Sequence, residues 1–203
     1  MKNIVIIGLT GQSGAGKTTV SKHFKNSGFY VINCDDVARN VTRQGSDCNK
    51  ELVKLFPDCF DKNLTLDRQA LAKIVFSNKV KLEQLNSTIF PHITADIKTE
   101  IEQLSDEGAK FIILDAPTLF EAGVDKLCDC IISCVAEREL RAERIAARDK
   151  IPLDLIFKRF NSQKTEDFFR QRSDYVIENN KDESAAIKQC NEIIDNIKRR
   201  FNG

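Results

Sequence analysis

The chain of 203 residues has no tryptophan, two histidines, four prolines and nine glycines. Its few prolines and glycines exclude a collagen-like chain, and its 41% hydrophobic content excludes an intrinsically disordered one. No apolar run approaches the roughly 18 residues that a membrane-spanning helix needs. The two histidines, His23 and His92, offer no Ser–His–Asp constellation. These absences leave one globular domain, or one core with inserted subdomains.

An excess of charge of one sign is also missing, because 31 Lys and Arg against 30 Asp and Glu leave a net charge of +1. That balance argues against nucleic acid or an acidic membrane as a partner. The first apolar run stops at Gly8 and is too short for a signal peptide, so we expect a buried strand and a cytoplasmic protein. The seven scattered cysteines fit reduced thiols, and Cys128, Cys130 and Cys134 lack a fourth metal ligand nearby.

Five apolar runs predict β-strands, and several of them are continuous rather than alternating. The predicted strands are Asn3 to Leu9, Phe29 to Cys34, Lys110 to Asp115, Asp129 to Val135 and Asp174 to Glu178. Continuous β-branched runs are typical of strands buried on both faces. The sequence therefore predicts an α/β fold, with a five-stranded parallel sheet sandwiched by helices.

Helical patterns fill the segments between the strands and form two insertions. The larger insertion follows the second strand and has helical pieces at Ser46 to Phe56, Asp67 to Phe76, Lys79 to Phe90 and Pro91 to Leu104. We expect Pro91 to separate the last two pieces. The smaller insertion precedes the last strand and is broken at Pro152.

The sharpest motif is Gly11-Gln12-Ser13-Gly14-Ala15-Gly16-Lys17-Thr18, which matches G-x-x-x-x-G-K-[ST]. Its glycines let the loop wrap so that backbone amides point at the phosphates of a nucleotide. The helix that follows adds its partial positive charge, Lys17 neutralises the γ-phosphate, and the Thr18 hydroxyl is placed to hold Mg²⁺. The predicted ATP-binding residues here are Gly11, Ser13, Gly14, Ala15, Gly16, Lys17, Thr18 and Thr19.

Acidic residues follow two of the predicted strands, at the sheet edge where ligands of parallel sheets bind. Asp115 ends the strand before Ala116-Pro117, and we expect it to orient Mg²⁺ together with Thr18. Asp35 and Asp36 follow the second strand. Either one can serve as the base for a hydroxyl nucleophile. We expect Asp35 to take that role and Asp36 to cap a helix over residues 37–42.

Four arginines lie on the helix predicted for Ala136 to Asp149, namely Arg138, Arg141, Arg144 and Arg148. Transfer of a phosphoryl group needs cations on its oxygens, and a segment that closes over the site can carry them. We expect Arg148 to be that cation. For Arg138 and Arg141 we expect solvated positions beside the acidic residues of the same helix.

Several segments together resemble the dephospho-coenzyme A kinase family nearly from end to end. They are GLTGQSGAGKTTV, GFYVINCDDVAR, FPHI, LDAPTLFE, RIAARD and SDYVIENN. The resemblance implies a P-loop kinase that uses Mg²⁺-ATP to phosphorylate the ribose 3′-hydroxyl of dephospho-coenzyme A. Asn33 departs from the family pattern, which has an acid two residues before the base, and Gln12 replaces a usual glycine.

The resemblance also implies residue roles. Asp35 would be the catalytic base, with Lys17 and Arg148 as catalytic cations, and Asn179 would lie near the ATP base. The acceptor would contact Asp35, Arg39, Pro91 and Leu119. The nucleotide-binding core would comprise residues 1–36, 109–140 and 174–203, with an acceptor domain at 37–108 and a lid at 141–173.

Two other functions stay open at this point. A kinase for another small hydroxylated acceptor, such as a nucleoside or nucleotide, would share the same phosphate loop. A nucleotide-dependent switch is the second alternative, although the N-K-x-D motif of guanine-reading switches is absent. We expect a monomer or a weak homo-oligomer.

Overall fold

The computed structural model describes residues 4–201 and contains a five-stranded parallel sheet flanked by helices. The strands are β1 (Val5–Gly11), β2 (Tyr30–Asn33), β3 (Phe111–Asp115), β4 (Cys130–Val135) and β5 (Tyr175–Glu178). Their order across the sheet is β2-β3-β1-β4-β5. The predicted α/β class and all five predicted strands are confirmed, with boundaries that differ by a residue or two. Asn3 lies outside the described residues, and Cys34 begins a helix instead of ending β2.

The register of the sheet places two candidate residues at one edge. β1 pairs with β3 so that Leu9 lies opposite Asp115, and with β4 so that Gly11 lies opposite Cys134. Every residue of β3 is buried, as its continuous apolar run predicts. The carboxyl ends of β1 and β3 therefore bring the start of the Gly-rich loop next to Asp115.

Nine α-helices are found in residues 4–201. They are α1 (Lys17–Asn26), α2 (Cys34–Val41), α3 (Asp47–Leu55), α4 (Arg68–Phe76), α5 (Lys79–Asp106), α6 (Arg138–Asp149), α7 (Leu153–Asn161), α8 (Glu166–Gln171) and α9 (Glu183–Phe201). Within the described residues, no helix combines the length and the apolar composition needed to cross a membrane.

The chain forms two compact units, Met1–Val31 with Ser105–Gly203, and Ile32–Leu104. In the first unit, α1 and α9 pack on each other, and their apolar side chains form one core with β1, β4 and β5. The segment 141–173, predicted to be a lid, falls within this unit. Its role as a lid, and the role of residues 37–108 as an acceptor domain, stay predictions.

The prediction of two helices that meet at Pro91 is wrong. A single helix, α5, runs from Lys79 to Asp106 with Pro91 inside it. Proline inside a helix removes one backbone donor and its ring crowds the carbonyl four residues earlier, at a cost of about 3 kcal/mol. Buried Ile93 and Ile97 follow it at helical spacing, and burial of this apolar face favours continuation of the helix through the proline.

Candidate functional site

The Gly-rich loop lies between the end of β1 and the start of α1, as its motif predicts. Gly16 precedes α1 with φ 91° and ψ 18°, a left-handed conformation that glycine adopts without a steric penalty. Gly14 has φ 82°, and a Cβ at this position would lie 2.7 Å from the carbonyl oxygen of Arg141. Both glycines are therefore required by backbone shape and by close approach, in addition to the predicted contact with a phosphate.

Backbone and side-chain bonds hold the loop in this shape. The Gln12 amide donates to the carbonyl of Cys134 at 3.3 Å, and the Ala15 amide donates to the carbonyl of Gln12 at 3.1 Å. Asn179, which follows β5, donates from Nδ2 to the carbonyl of Ala15 at 3.0 Å and is 8% exposed. This contact places Asn179 against the loop, and its predicted proximity to the ATP base stays a prediction.

Arg144 is a loop contact that the sequence analysis missed. Its Nη1 donates to the carbonyl of Gly14 at 3.4 Å, and its Nη2 donates to the carbonyl of Asn179 at 3.0 Å. The guanidinium thus connects the loop to the end of β5. The three- and four-residue spacing of Arg141, Arg144 and Arg148 was the available signal, because it places these side chains on one face of α6.

Lys17 and Asp115 form an ion pair between the first turn of α1 and the end of β3. Their side chains are only 18% and 10% exposed, so the pair is shielded from water on most sides. The next residue, Thr18, is exposed. A carboxylate and a hydroxyl near the loop fit Mg²⁺, which favours oxygen ligands and completes its coordination with water and phosphate oxygens. Residues 4–201 contain no cluster of three or more His, Cys, Asp or Glu side chains that could hold a metal ion.

The prediction that Arg141 lies on a solvated face is wrong. Arg141 is 5% exposed, and its guanidinium carbon lies 4.3 Å from the centre of the Phe160 ring. Burial lowers the pKa of this guanidinium from its ordinary value. Phe160 lies on α7, which packs against α6, so a tertiary contact covers the side chain that the helix pattern alone assigns to solvent.

Arg148, the predicted phosphoryl-contacting cation, is bound by its neighbour. Its Nε and Nη2 donate to the two carboxylate oxygens of Asp149 at 2.6 Å and 3.0 Å. This hydrogen bonding raises the pKa of Arg148 and lowers the pKa of Asp149. Arg159 lies 3.5 Å from the same carboxylate, so Asp149 contacts two arginines, Arg148 on α6 and Arg159 on α7.

In the second unit, the residue that caps α2 differs from the predicted one. Asn33 caps this helix, because its side-chain oxygen accepts from the amides of Asp35 at 3.0 Å and Asp36 at 3.3 Å. Asp36 is therefore not the cap; it lies in the first turn and pairs with Arg39 at 2.9 Å. Asn is as good an N-cap as Asp, which gives a physical role to the residue that departs from the family pattern. The Asp35 side chain is exposed.

The remaining predicted acceptor contacts lie in different surroundings. Pro91 is exposed on α5, beside His92, whose Nε2 lies 3.2 Å from a carboxylate oxygen of Glu51. A pocket of about 380 Å³ in the same unit is lined by His92 and by polar side chains of α2, α3 and α5. Leu119, in the first unit, is fully buried and fills the space beside Gly8. This placement gives Leu119 a packing role, and its contact with an acceptor stays a prediction.

Together, the parallel sheet and the loop that leads from β1 into α1 define the P-loop fold class. Shikimate kinase from Acinetobacter baumannii has the same fold, with a TM-score of 0.53 at 15% identity over 98% of this chain and 96% of that one. A profile described as dephospho-CoA kinase matches residues 5–185. The chain belongs to the dephospho-CoA kinase family.

Individual relatives agree with this assignment along nearly the whole chain. Dephospho-CoA kinase of Fusobacterium nucleatum is 38% identical, with 96% of this chain and all of that protein covered. The enzyme of Oryza sativa is 35% identical, with coverage of 95% and 84%. Among solved structures, dephospho-CoA kinase from Campylobacter jejuni has a TM-score of 0.71 at 27% identity, with 98% of each chain covered.

Proposed function

We propose that this protein transfers the γ-phosphoryl group of ATP to the ribose 3′-hydroxyl of dephospho-CoA, which gives CoA and ADP and completes CoA biosynthesis. The observation that carries the proposal is the phosphate loop with its Lys17–Asp115 pair, in a chain whose family match extends over residues 5–185. A cytoplasmic location and a monomeric or weakly associated state remain parts of the proposal.

The nucleotide side of the reaction is assigned to the loop and α1. Loop amides and Lys17 bind the β- and γ-phosphates, where their positive charge stabilises the negative charge of the transferring group. Thr18 and Asp115 are the residues that would hold Mg²⁺. When bound, Mg²⁺ would neutralise phosphate charge. When ATP binds, the ammonium group of Lys17 changes its partner from Asp115 to a phosphate, so it stays paired with an anion.

The acceptor side of the reaction is assigned to Asp35 and Arg39. The exposed Asp35 carboxylate takes the proton of the 3′-hydroxyl while the hydroxyl oxygen bonds to phosphorus and the bond to ADP breaks. Arg39 holds the acceptor, and its Nη1 donates to the Asp36 carboxylate at 2.9 Å. Arg148 contributes positive charge to the transferring group once it leaves Asp149.

A panel of acceptors tests the proposal against other hydroxylated substrates. The purified protein is given Mg²⁺-ATP with dephospho-CoA, adenosine, AMP or no acceptor, and ADP release is measured. We expect strong stimulation by dephospho-CoA alone. Equal or greater stimulation by adenosine or AMP would overturn the substrate and favour the alternative of a nucleoside or nucleotide kinase.

Two neighbouring variants test the assignment of the base. Asp35→Asn removes the proton acceptor, so turnover falls by roughly 100-fold or more while ATP affinity is unchanged. Asp36→Asn removes the partner of Arg39 and mainly raises the KM for dephospho-CoA. Turnover by Asp35→Asn within about threefold of the unsubstituted protein would eliminate Asp35 as the base.

A further inference from the structure

In the phosphate loop, the backbone amide and the backbone carbonyl of Ser13 each form a hydrogen bond with a side chain. The Ser13 amide donates to Oε1 of Gln163 at 3.3 Å, and the Ser13 carbonyl accepts from Nη1 of Arg141 at 3.5 Å. In addition, Nε2 of Gln12 donates to the carbonyl of Lys164 at 3.4 Å. All of these residues belong to the first unit. The loop is thus bound from outside by α6 and by the turn that follows α7.

The burial of Arg141 distinguishes this contact from an ordinary surface hydrogen bond. Its guanidinium lies over Phe160, which is 8% exposed and packs in a small core with Ile145 and Ile156. Its Nε has no hydrogen-bond partner among residues 4–201. Desolvation of a guanidinium is costly, and the nearby charges of Glu166 and Glu139 offset only part of that cost, because burial still lowers the pKa of Arg141.

The backbone of α6 reinforces the same contact. A Cβ on Gly14 would lie 2.7 Å from the Arg141 carbonyl oxygen and 3.0 Å from the Arg141 Cβ. The loop and α6 are therefore in direct backbone contact at Gly14, beside the side-chain contact at Ser13. Contacts of this kind reduce the number of conformations that the loop can adopt.

We propose that Arg141 and Gln163 are positioning residues for nucleotide binding. They form a brace, defined as these two side chains on Ser13, that holds the backbone of the loop in the conformation that receives the phosphates. This inference deepens the proposed function and rests on its assignment of the loop to ATP. Without the brace, the loop must be ordered by ATP itself, and that ordering cost lowers affinity.

The direct test is ATP binding by three variants, measured by calorimetry with Mg²⁺-ATP and no acceptor. Arg141→Met and Gln163→Met keep an unbranched apolar side chain but remove the polar groups that hold Ser13. We expect each variant to raise the Kd for ATP by roughly fivefold to tenfold. Because both side chains hold the same residue, the double variant should weaken binding little more than the weaker-binding single variant.

Arg138→Met is the matched control. Arg138 lies on the same helix and also contacts the Phe160 ring, at 5.9 Å, but its Nη2 donates to Asn161 instead of to the loop. We expect this variant to bind ATP within about twofold of the unsubstituted protein. This control shows how much of a change in ATP affinity comes from the loss of any arginine that stacks on α7.

Steady-state kinetics and measurements of protein unfolding distinguish a residue that positions the loop from one that only stabilises the fold. A brace raises the KM for ATP and leaves kcat and the KM for dephospho-CoA unchanged. An ATP Kd within about twofold for Gln163→Met, or equal weakening by Arg138→Met, would overturn the inference. Gln163 is only partly buried, so its variant decides the matter even if Arg141→Met fails to fold. An unsubstituted protein that binds ATP but does not phosphorylate dephospho-CoA would contradict the proposed function and leave the brace testable.

Discussion

Substitution of Gly16 by alanine tests whether the loop requires a left-handed backbone and close contact with Asn179 at this position. Gly16 has a left-handed backbone, and alanine there costs about 1–2 kcal/mol. A Cβ would also overlap Nδ2 of Asn179, so that side chain must move and release the buried carbonyl of Ala15. An unsatisfied buried acceptor costs a further 1–3 kcal/mol or so. We therefore expect Gly16→Ala to lower the free energy of unfolding by about 2–5 kcal/mol.

Gly28 provides a matched control because its φ of +89° nearly equals the +91° of Gly16, while no atom lies within 4 Å of a Cβ placed there. Gly28→Ala should cost only the conformational part, about 1–2 kcal/mol. Urea unfolding followed by far-UV circular dichroism measures both variants in a chain without tryptophan. Equal destabilisation of the two variants would refute the argument that Asn179 restricts position 16.

Three further predictions concern charges and thiols. Asp115→Asn should raise the Mg²⁺ concentration for half-maximal activity by roughly tenfold, because an amide oxygen binds Mg²⁺ more weakly; an unchanged Mg²⁺ titration would contradict that role. Asp149→Ala should leave both the free energy of unfolding and kcat nearly unchanged because its partner Arg148 is 60% exposed, whereas Arg148→Ala should lower kcat by about 100-fold; similar kcat values for the two variants would argue against Arg148 as a catalytic cation. Burial raises the pKa of Cys130 to about 12, so its thiol stays protonated at pH 8 and should react with iodoacetamide only after unfolding; rapid labelling of the folded protein, mapped by mass spectrometry, would disagree.

The sheet and the loop could be predicted because their signals are local. Continuous apolar runs such as Phe111 to Leu114 have few alternatives to a doubly buried strand, and the glycine spacing of the loop specifies its backbone shape. The order of β1 beside β3 then brings Lys17 to Asp115, although the two residues are 98 positions apart. The pairing of Lys17 with Asp115 therefore follows from the order of the strands, which the phosphate-loop motif already indicates.

The errors have a different origin, because each depends on a competing local signal or a distant contact. Asn33 and Asp36 are both favourable caps, and the sequence does not show at which residue the chain turns from strand to helix. Arg141 is covered by Phe160, a residue 19 positions later whose packing is invisible in the pattern of α6. Gln163 carries no motif at all, and only the fold reveals that its side chain reaches Ser13.

The most direct test of the central claim is a stoichiometric assay with the purified protein, Mg²⁺-ATP and dephospho-CoA. ADP and CoA are quantified in the same sample, and the new phosphate is located by ³¹P NMR and by release with a 3′-nucleotidase. The proposed reaction gives one ADP for each CoA, with the phosphate on the ribose 3′-oxygen. ADP release that does not depend on the acceptor, or a phosphate at another position, would contradict it.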